Sequence, residues 1–291
     1  MSLELIKKLR DNIGAGMSDC KKAVEESNGT YDDAVRILRE RGQQIATKKS
    51  SNAASEGLVG WVDNGAGILV VELNCQTDFV TRGDKFPALL ENILNAAKLS
   101  KATDSESVLN SKIGEQLVKD FIIENIAVIG ENIKLSRVHF VNYNTDFAGV
   151  YVHNAITEKP NLGVIASVVT IKSDSESAKE IARKVAMHVT AAVPSDLSIA
   201  DVSATKIEAE KAILKEQMKD EKKPESIMEK IIAGKIDKFF QDVVLLEQPS
   251  IFDNGLKIKD WVAAEAKTAG ISSEVTSFVR IKLGDFTSEQ A

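Results

Sequence analysis

The side chains most able to do chemistry are three histidines, two cysteines and scattered carboxylates, and their spacing limits what that chemistry can be. His139 stands between Val138 and Phe140 in a strand-like run, and His188 between Met187 and Val189 in an apolar helical one. His188 reads as a satisfied core imidazole, and His139 as a structural or simply a surface one. His153, where a strand gives way to a long turn, is the histidine best placed for contact. No nucleophile elbow surrounds any serine or cysteine, so Ser/His/Asp and Cys/His catalysis has no support. Cys20 and Cys75 are far apart, with no CxxC pair and no Cys/His cluster, which indicates neither a metal site nor a disulfide framework. The GxxxxGK(S/T) loop that cradles nucleotide phosphates is absent, and Gly14-Ala15-Gly16 and Gly65-Ala66-Gly67 read as turns. No cofactor or metal is expected. The chemistry left open is recognition of another macromolecule.

One stretch suits that role. Gly67–Phe86 opens with Ile68-Leu69-Val70-Val71-Glu72-Leu73-Asn74, rich in β-branched residues, which predicts a buried strand. It breaks into Asn74-Cys75-Gln76-Thr77-Asp78, and then Phe79 and Val80 stand alone among Thr81, Arg82, Gly83 and Asp84. Two readings are open. Asp78 caps a short helical turn and Phe79 tucks beneath it; or Asp78-Phe79 is a presented tip, an acid and a ring held out by a rigid strand for another protein.

The elements around this stretch can be read in order. Over 1–45 three short helices are predicted. Leu3, Leu5, Ile6, Leu9 and Ile13 form the first stripe, Ser18 caps the second helix and Asn28-Gly29 closes it, and Thr30 caps a third that stops at Gly42. Thr47–Ser55 is small and polar and reads as a linker. Beyond it the pattern repeats. A hairpin of Gly57–Val62 and Gly67–Leu73 precedes an amphipathic helix carrying Leu89, Leu90, Ile93, Leu94 and Ala97. A second hairpin, Gly149–His153 and Gly163–Thr170, precedes a helix with Ile181, Ala182, Val185 and Val189. Val118-Lys119-Asp120-Phe121 is echoed by Ile258-Lys259-Asp260-Trp261, each ahead of a last strand. The reading is an α+β core of two repeated subdomains with antiparallel sheets flanked by helices; chance likeness between hairpins is the alternative. From Ser203, two helices broken at Glu221-Lys222-Lys223-Pro224 carry one apolar stripe each, and form either a projecting αα-hairpin or a pair packed flat on the core.

Composition narrows the function. The chain has 291 residues, 43% of them apolar and 27% charged, enough for two or three modules. No apolar run approaches the roughly 18–20 residues of a membrane helix. Met1–Lys8 has neither a signal-peptide core nor a presequence character, so a cytoplasmic protein with reduced thiols is expected. A net charge of −6 disfavours nucleic acid as main partner, and Lys21-Lys22, Lys48-Lys49 and Lys222-Lys223 are scattered among acids. A protein-binding regulator and a ribosome- or RNA-associated protein remain, separable by retention on RNA at physiological salt.

Asn74-Cys75-Gln76-Thr77-Asp78-Phe79-Val80 resembles the signature of the elongation factor Ts family, the guanine-nucleotide exchange factors of elongation factor Tu (EF-Tu). Gly14–Ala23 (GAGMSDCKKA) resembles the family's other signature, and Ile129-Gly130-Glu131-Asn132-Ile133 and Ala186-Met187-His188-Val189 fall where the family has them. The resemblance covers nearly the whole chain. Ile13 departs from it, since the family usually has threonine there. The resemblance implies a ubiquitin-associated-like docking bundle at 1–46, a linker at 47–56, and core subdomains at 57–147 and at 148–202 with 247–291. It also implies an antiparallel coiled coil inserted at 203–246. It implies no enzyme and no nucleotide, membrane or specific nucleic-acid binding, but a partner, EF-Tu, whose Mg²⁺ is dislodged by Thr77, Asp78, Phe79 and Val80. Further partner contacts are implied for Arg10, Met17, Ile129, Gly130 and His153.

Overall fold

Apolar residues at helical spacing build the N-terminal segment into α1 (Leu3–Ile13), α2 (Met17–Glu26) and α3 (Tyr31–Lys49), in a computed structural model that describes residues 3–144, 146–218 and 224–285. Ile6, Leu9, Cys20, Ala23, Val24 and Leu38 meet in their shared core. Leu3 does not join the stripe expected of it; it is 81% exposed, at the fraying end of α1. Gly16, not Ser18, is the cap of α2, so the helix starts earlier than the hydroxyl suggested. The third helix runs through Gly42 to Lys49, past the expected stop and into the expected linker. A glycine costs a helix only about 1 kcal/mol. Here the bare Cα lies against the side of a later helix, with a Cβ at 42 standing 3.7 Å from that of Ala127.

The chain then forms β1 (Glu56–Asp63), β2 (Gly67–Cys75), α4 (Asp78–Thr81) and α5 (Lys85–Ser100). After these come α6 (Ser105–Leu109), the short strands β3 (Lys112–Ile113) and β4 (Gln116–Leu117), α7 (Val118–Ile129) and β5 (Lys134–Asn142). β2 lies between β1 and β5, antiparallel to both, and every one of its residues is buried. Leu69, Val71 and Leu73 face Leu89, Leu90, Ile93 and Leu94 of α5 with Ile122 and Ile126 of α7. Each such aliphatic side chain contributes about 1.5–3 kcal/mol on full burial. A two-residue strand, numbered β7 (Leu162–Gly163) because β6 (Phe147–His153) precedes it, adds to the free edge of β1.

Packing divides the chain into two units. The first takes the residues through Asn142, Asn154–Ile165 and the chain from Ile281; the second takes Tyr143–His153 and Ala166–Arg280. In the second, β6, β8 (Ile165–Lys172) and β9 (Glu274–Lys282) make a sheet with β8 in the middle, the place β2 holds in the other sheet. Between β8 and β9 run α8 (Ala178–Ala192), α9 (Ala204–Gln217), α10 (Glu225–Val243) and α11 (Ile258–Ala269). Ile181, Val185 and Val189 of α8 pack with Val169, Ile171, Trp261 and Val262. Gly149 lets β6 touch α8, for a Cβ there would fall 2.2 Å from the Arg183 nitrogen.

The segments that echo each other in sequence can be compared directly. The echoed segments are α7 and α11, both 12 residues long and both closed by a left-handed glycine, Gly130 at φ 84° and Gly270 at φ 67°. Ser203 caps α9 by accepting from the Lys206 amide at 3.3 Å, and Pro224 precedes α10. The two helices pack on each other, and Leu214 of α9, Met218 at its end and Ile236 of α10 are buried. The expected break at Glu221-Lys222-Lys223 lies outside the described residues.

His188 is wholly buried, as expected of a core imidazole, but only half satisfied: Nε2 lies 2.9 Å from Gln248 Oε1 and, among the described residues, Nδ1 has no hydrogen-bond partner. Burial holds its pKa below the ordinary value, against the opposing pull of the Gln248 bond. His139 is also held low, by burial and then by Arg137. The sign follows from linkage. A histidine kept neutral in the fold protonates more readily in the unfolded chain, which titrates near about 6.5, so stability is full above that pH and falls as pH drops below it. Urea melts at pH 7.5 and 5.5 are expected to show a loss at the lower pH that is smaller in His188→Gln.

Candidate functional site

The signature stretch occupies the corner where the chain leaves the buried β2. Cys75 is the last buried residue, and its thiol donates to the Thr77 carbonyl at 3.2 Å. Burial first, and then the nearby Glu131 charge, push that thiol up to about 12, so it is an inert packing group. Thr77 stands at the cap position of α4 in extended conformation, φ −130° and ψ 152°, yet its hydroxyl does not cap the helix. It donates instead to Glu131 Oε1 at 2.6 Å. The amides of Gln76 and Thr77 both donate to Glu131 Oε2 at 3.0 Å.

Beyond that anchor the side chains diverge. Asp78 is the first residue of α4, not its cap, and pairs with Arg82 one turn on. Val80 is half-buried and packs against the core of the first sheet. Phe79 does not tuck under; its residue is 77% exposed.

Ile129 and Gly130 reach the same corner from the other side. Gly130 ends α7 in the left-handed region and donates to the Ile126 carbonyl at 2.9 Å, which turns the chain so that Glu131 follows at once. Asn132 continues the clasp: its amide donates to Gln76 Oε1 at 2.8 Å and its side chain to the Asn52 carbonyl at 2.8 Å. Arg10, in the last turn of α1, and Met17, opening α2, are both exposed, and among the described residues no hydrogen bond or ion pair joins either to the tip. His153 ends β6 in the second unit, exposed, with its Nδ1 3.3 Å from the Tyr151 hydroxyl. Sequence reading singled out Thr77–Val80 and Ile129-Gly130, which lie at this corner, but gave no part to Glu131, Gln76 and Asn132, whose hydrogen bonds hold it. The signal was present, because Gln76 and Glu131-Asn132 lie inside the motifs quoted above.

Other sites fare worse. Among the described residues no group of three or more His, Cys, Asp or Glu could hold a metal, and no helix is long and apolar enough to cross a membrane. A cleft of about 1200 Å³ opens between α3 and the β4–α7 region, lined in part by Ile13, Tyr31, Val35, Leu117 and Ile123. It holds none of the candidate partner-contact residues.

Comparison with known proteins agrees with the corner's motifs. The family model described as Elongation factor TS matches residues 76–285. Elongation factor Ts of Rickettsia massiliae is 36% identical over 288 residues, 98% of this chain and 92% of that protein. Those of Brucella anthropi and Bartonella bacilliformis are 39% and 38% identical, covering 98% and 96% of this chain and 93% and 92% of theirs. With a family match over most of its length and relatives this similar from end to end, the chain belongs to the elongation factor Ts family, the translation elongation factors of bacteria.

Proposed function

We propose that the chain is a cytoplasmic guanine-nucleotide exchange factor: it binds EF-Tu·GDP and promotes GDP release, so that GTP can bind in its place. The observation that carries this reading is the Phe79 ring, 77% exposed on a turn whose backbone is fastened at two successive amides. A GTPase holds its nucleotide through phosphate contacts and a bridging Mg²⁺. A factor that prefers the empty GTPase weakens nucleotide binding by the same factor by which nucleotide weakens its own binding. Each tenfold of that coupling needs about 1.4 kcal/mol, and a single aromatic anchor supplies energy of that order. In this reading Thr77 to Val80 form the wedge that disturbs the Mg²⁺ site. Arg10 and Met17 on the helical head, Ile129-Gly130 and His153 add partner contacts. The chain acts by binding and carries out no covalent step.

The remaining parts take supporting roles. The three-helix segment through residue 46 is a ubiquitin-associated-like docking head. Residues 57–147 form one core subdomain and 148–202 with 247–291 the other. The α9–α10 pair at 203–246 is an antiparallel coiled coil touching EF-Tu away from the nucleotide. Stopped-flow release of a fluorescent GDP from EF-Tu tests the whole reading: addition of the chain is expected to accelerate release, and an unchanged rate overturns it.

The head supplies a separate expectation. Met17→Ala removes an exposed side chain from the start of α2, so melting is expected to stay within about 0.5 kcal/mol, as for ordinary surface changes. Binding to EF-Tu is expected to weaken several-fold, on the scale of about 1 kcal/mol for an ordinary interface residue. Calorimetric titration checks it, and wild-type affinity would remove Met17 from the contact surface.

A further inference from the structure

We propose that Glu131 is a positioning residue for nucleotide release: its carboxylate sets the direction in which Asp78 and Phe79 leave the sheet. The inference rests on the reading of Thr77–Val80 as the wedge and assigns the residue that aims it. Both carboxylate oxygens are committed to two consecutive residues just before the tip, Oε2 to the Gln76 and Thr77 amides at 3.0 Å and Oε1 to the Thr77 hydroxyl at 2.6 Å. An ionised carboxylate accepting three donors in this way fixes position and rotation together, and such charge-assisted bonds are the strong ones. The Thr77 hydroxyl is thereby drawn away from the α4 amides it would otherwise cap.

Glu131 is itself held. Gly130 at φ 84° turns the chain out of α7, and the Asn132 amide and side chain are bonded to Gln76 and to the Asn52 carbonyl. The corner is therefore a rigid frame on one side and a four-residue helix with an exposed ring on the other.

The repeat provides a comparison within the same chain. In the second unit the turn after α11 also meets the end of its central strand: Asp174 accepts from the Ser272 amide at 3.0 Å, and Ser173 donates to the Ser272 carbonyl at 2.6 Å. There the acid comes from the strand side, and Ser175-Glu176-Ser177 follow with no ring. The acid is on the helix side only at the corner that presents Phe79. A carboxylate needed merely to close the turn could come from either side; one on the helix side leaves the strand-side residues free to form the tip.

The test separates aiming from stability and from affinity. Glu131→Gln keeps the size but loses the charge and one acceptor. Release of fluorescent GDP from EF-Tu is measured against chain concentration, with urea melts and hydrogen exchange at the Gln76 and Thr77 amides. The maximal release rate is expected to fall roughly tenfold, about 1.4 kcal/mol, with half-saturation within about twofold, the split that marks a loss confined to the activated complex. The two amides are expected to exchange faster while the melting midpoint holds. Thr77→Val, which removes one of the three donors, is expected to show a smaller fall of the same kind and stands in if Glu131→Gln does not fold. A wild-type maximal rate with both amides deprotected overturns the proposal, as does a loss confined to half-saturation. Phe79→Ala is run alongside: if it slows release while Glu131→Gln does not, the aiming role alone fails; if Phe79→Ala is itself without effect, the wedge reading fails and the proposal with it.

Discussion

Replacing Phe79 with alanine is expected to leave the fold almost untouched and to slow stimulated GDP release from EF-Tu by at least about tenfold, the size of a modest interface anchor. The two halves of the expectation come from one observation. Truncating a buried phenylalanine costs about 3–5 kcal/mol, partly through the cavity it leaves. Phe79 leaves no such cavity, since three quarters of it already faces solvent. Its neighbours hold without it: Thr77 by Glu131, Val80 by the core, Asp78 by Arg82. Asp78→Asn is expected to slow release more mildly, since on the proposed reading its charge, not its volume, acts at the Mg²⁺ site. Stopped-flow release and urea melts of each variant are the measurements. A Phe79→Ala protein that unfolds early but exchanges normally when folded would mean the ring belongs to the core. Unchanged behaviour in both would move the wedge elsewhere.

Arg137→Ala is expected to destabilise the first unit by about 3–5 kcal/mol, the usual cost of leaving a buried charge without its partner. Glu72 has no exposed side-chain surface in the middle of β2, and Arg137 holds its Oε2 with Nε at 3.0 Å and Nη2 at 2.6 Å. The other oxygen accepts from the Asn74 side chain at 3.1 Å and the Gly284 amide at 2.9 Å. Arg137 also donates to the Lys282 and Asp285 carbonyls, so its loss removes two further bonds to residues 282–285. Replacing Glu72 and Arg137 together by leucine is expected to cost much less than Arg137→Ala, since no charge is then stranded. Urea unfolding of the single and double variants measures both, and a single-variant loss below about 1 kcal/mol would mean that Glu72 reaches water or another cation.

What the sequence made legible was local. The apolar runs of β2, α5 and α8 announced themselves by period, and Phe79 by standing where no period could use it. The paired lysine-aspartate openings of α7 and α11 marked two helices of equal length, each followed by a strand. Illegible were relations between distant residues. Glu131 directly follows a helix-ending glycine, where a carboxylate normally faces solvent, and its partners Gln76 and Thr77 lie 55 and 54 residues earlier. Glu72 broke the strand pattern, but nothing nearby named Arg137, 65 residues on, as its counter-ion. Gly42 misled for a related reason: read alone it ends a helix, and only the neighbouring α7 makes a bare Cα useful in mid-helix.

The bond from Gly284 to Glu72 spans 212 residues, and it sets a schedule for the newborn chain. At translation rates of about 5–20 residues per second, roughly 10–40 s pass between synthesis of the acid and of the amide that completes its shell. The helical head closes from its own first residues and need not wait. Both sheets must: β9 is the third strand of one, and the segment from Ile281 covers the buried acid of the other. A chain halted before Gly284 would carry Glu72 in the buried β2 with one of its protein donors not yet made.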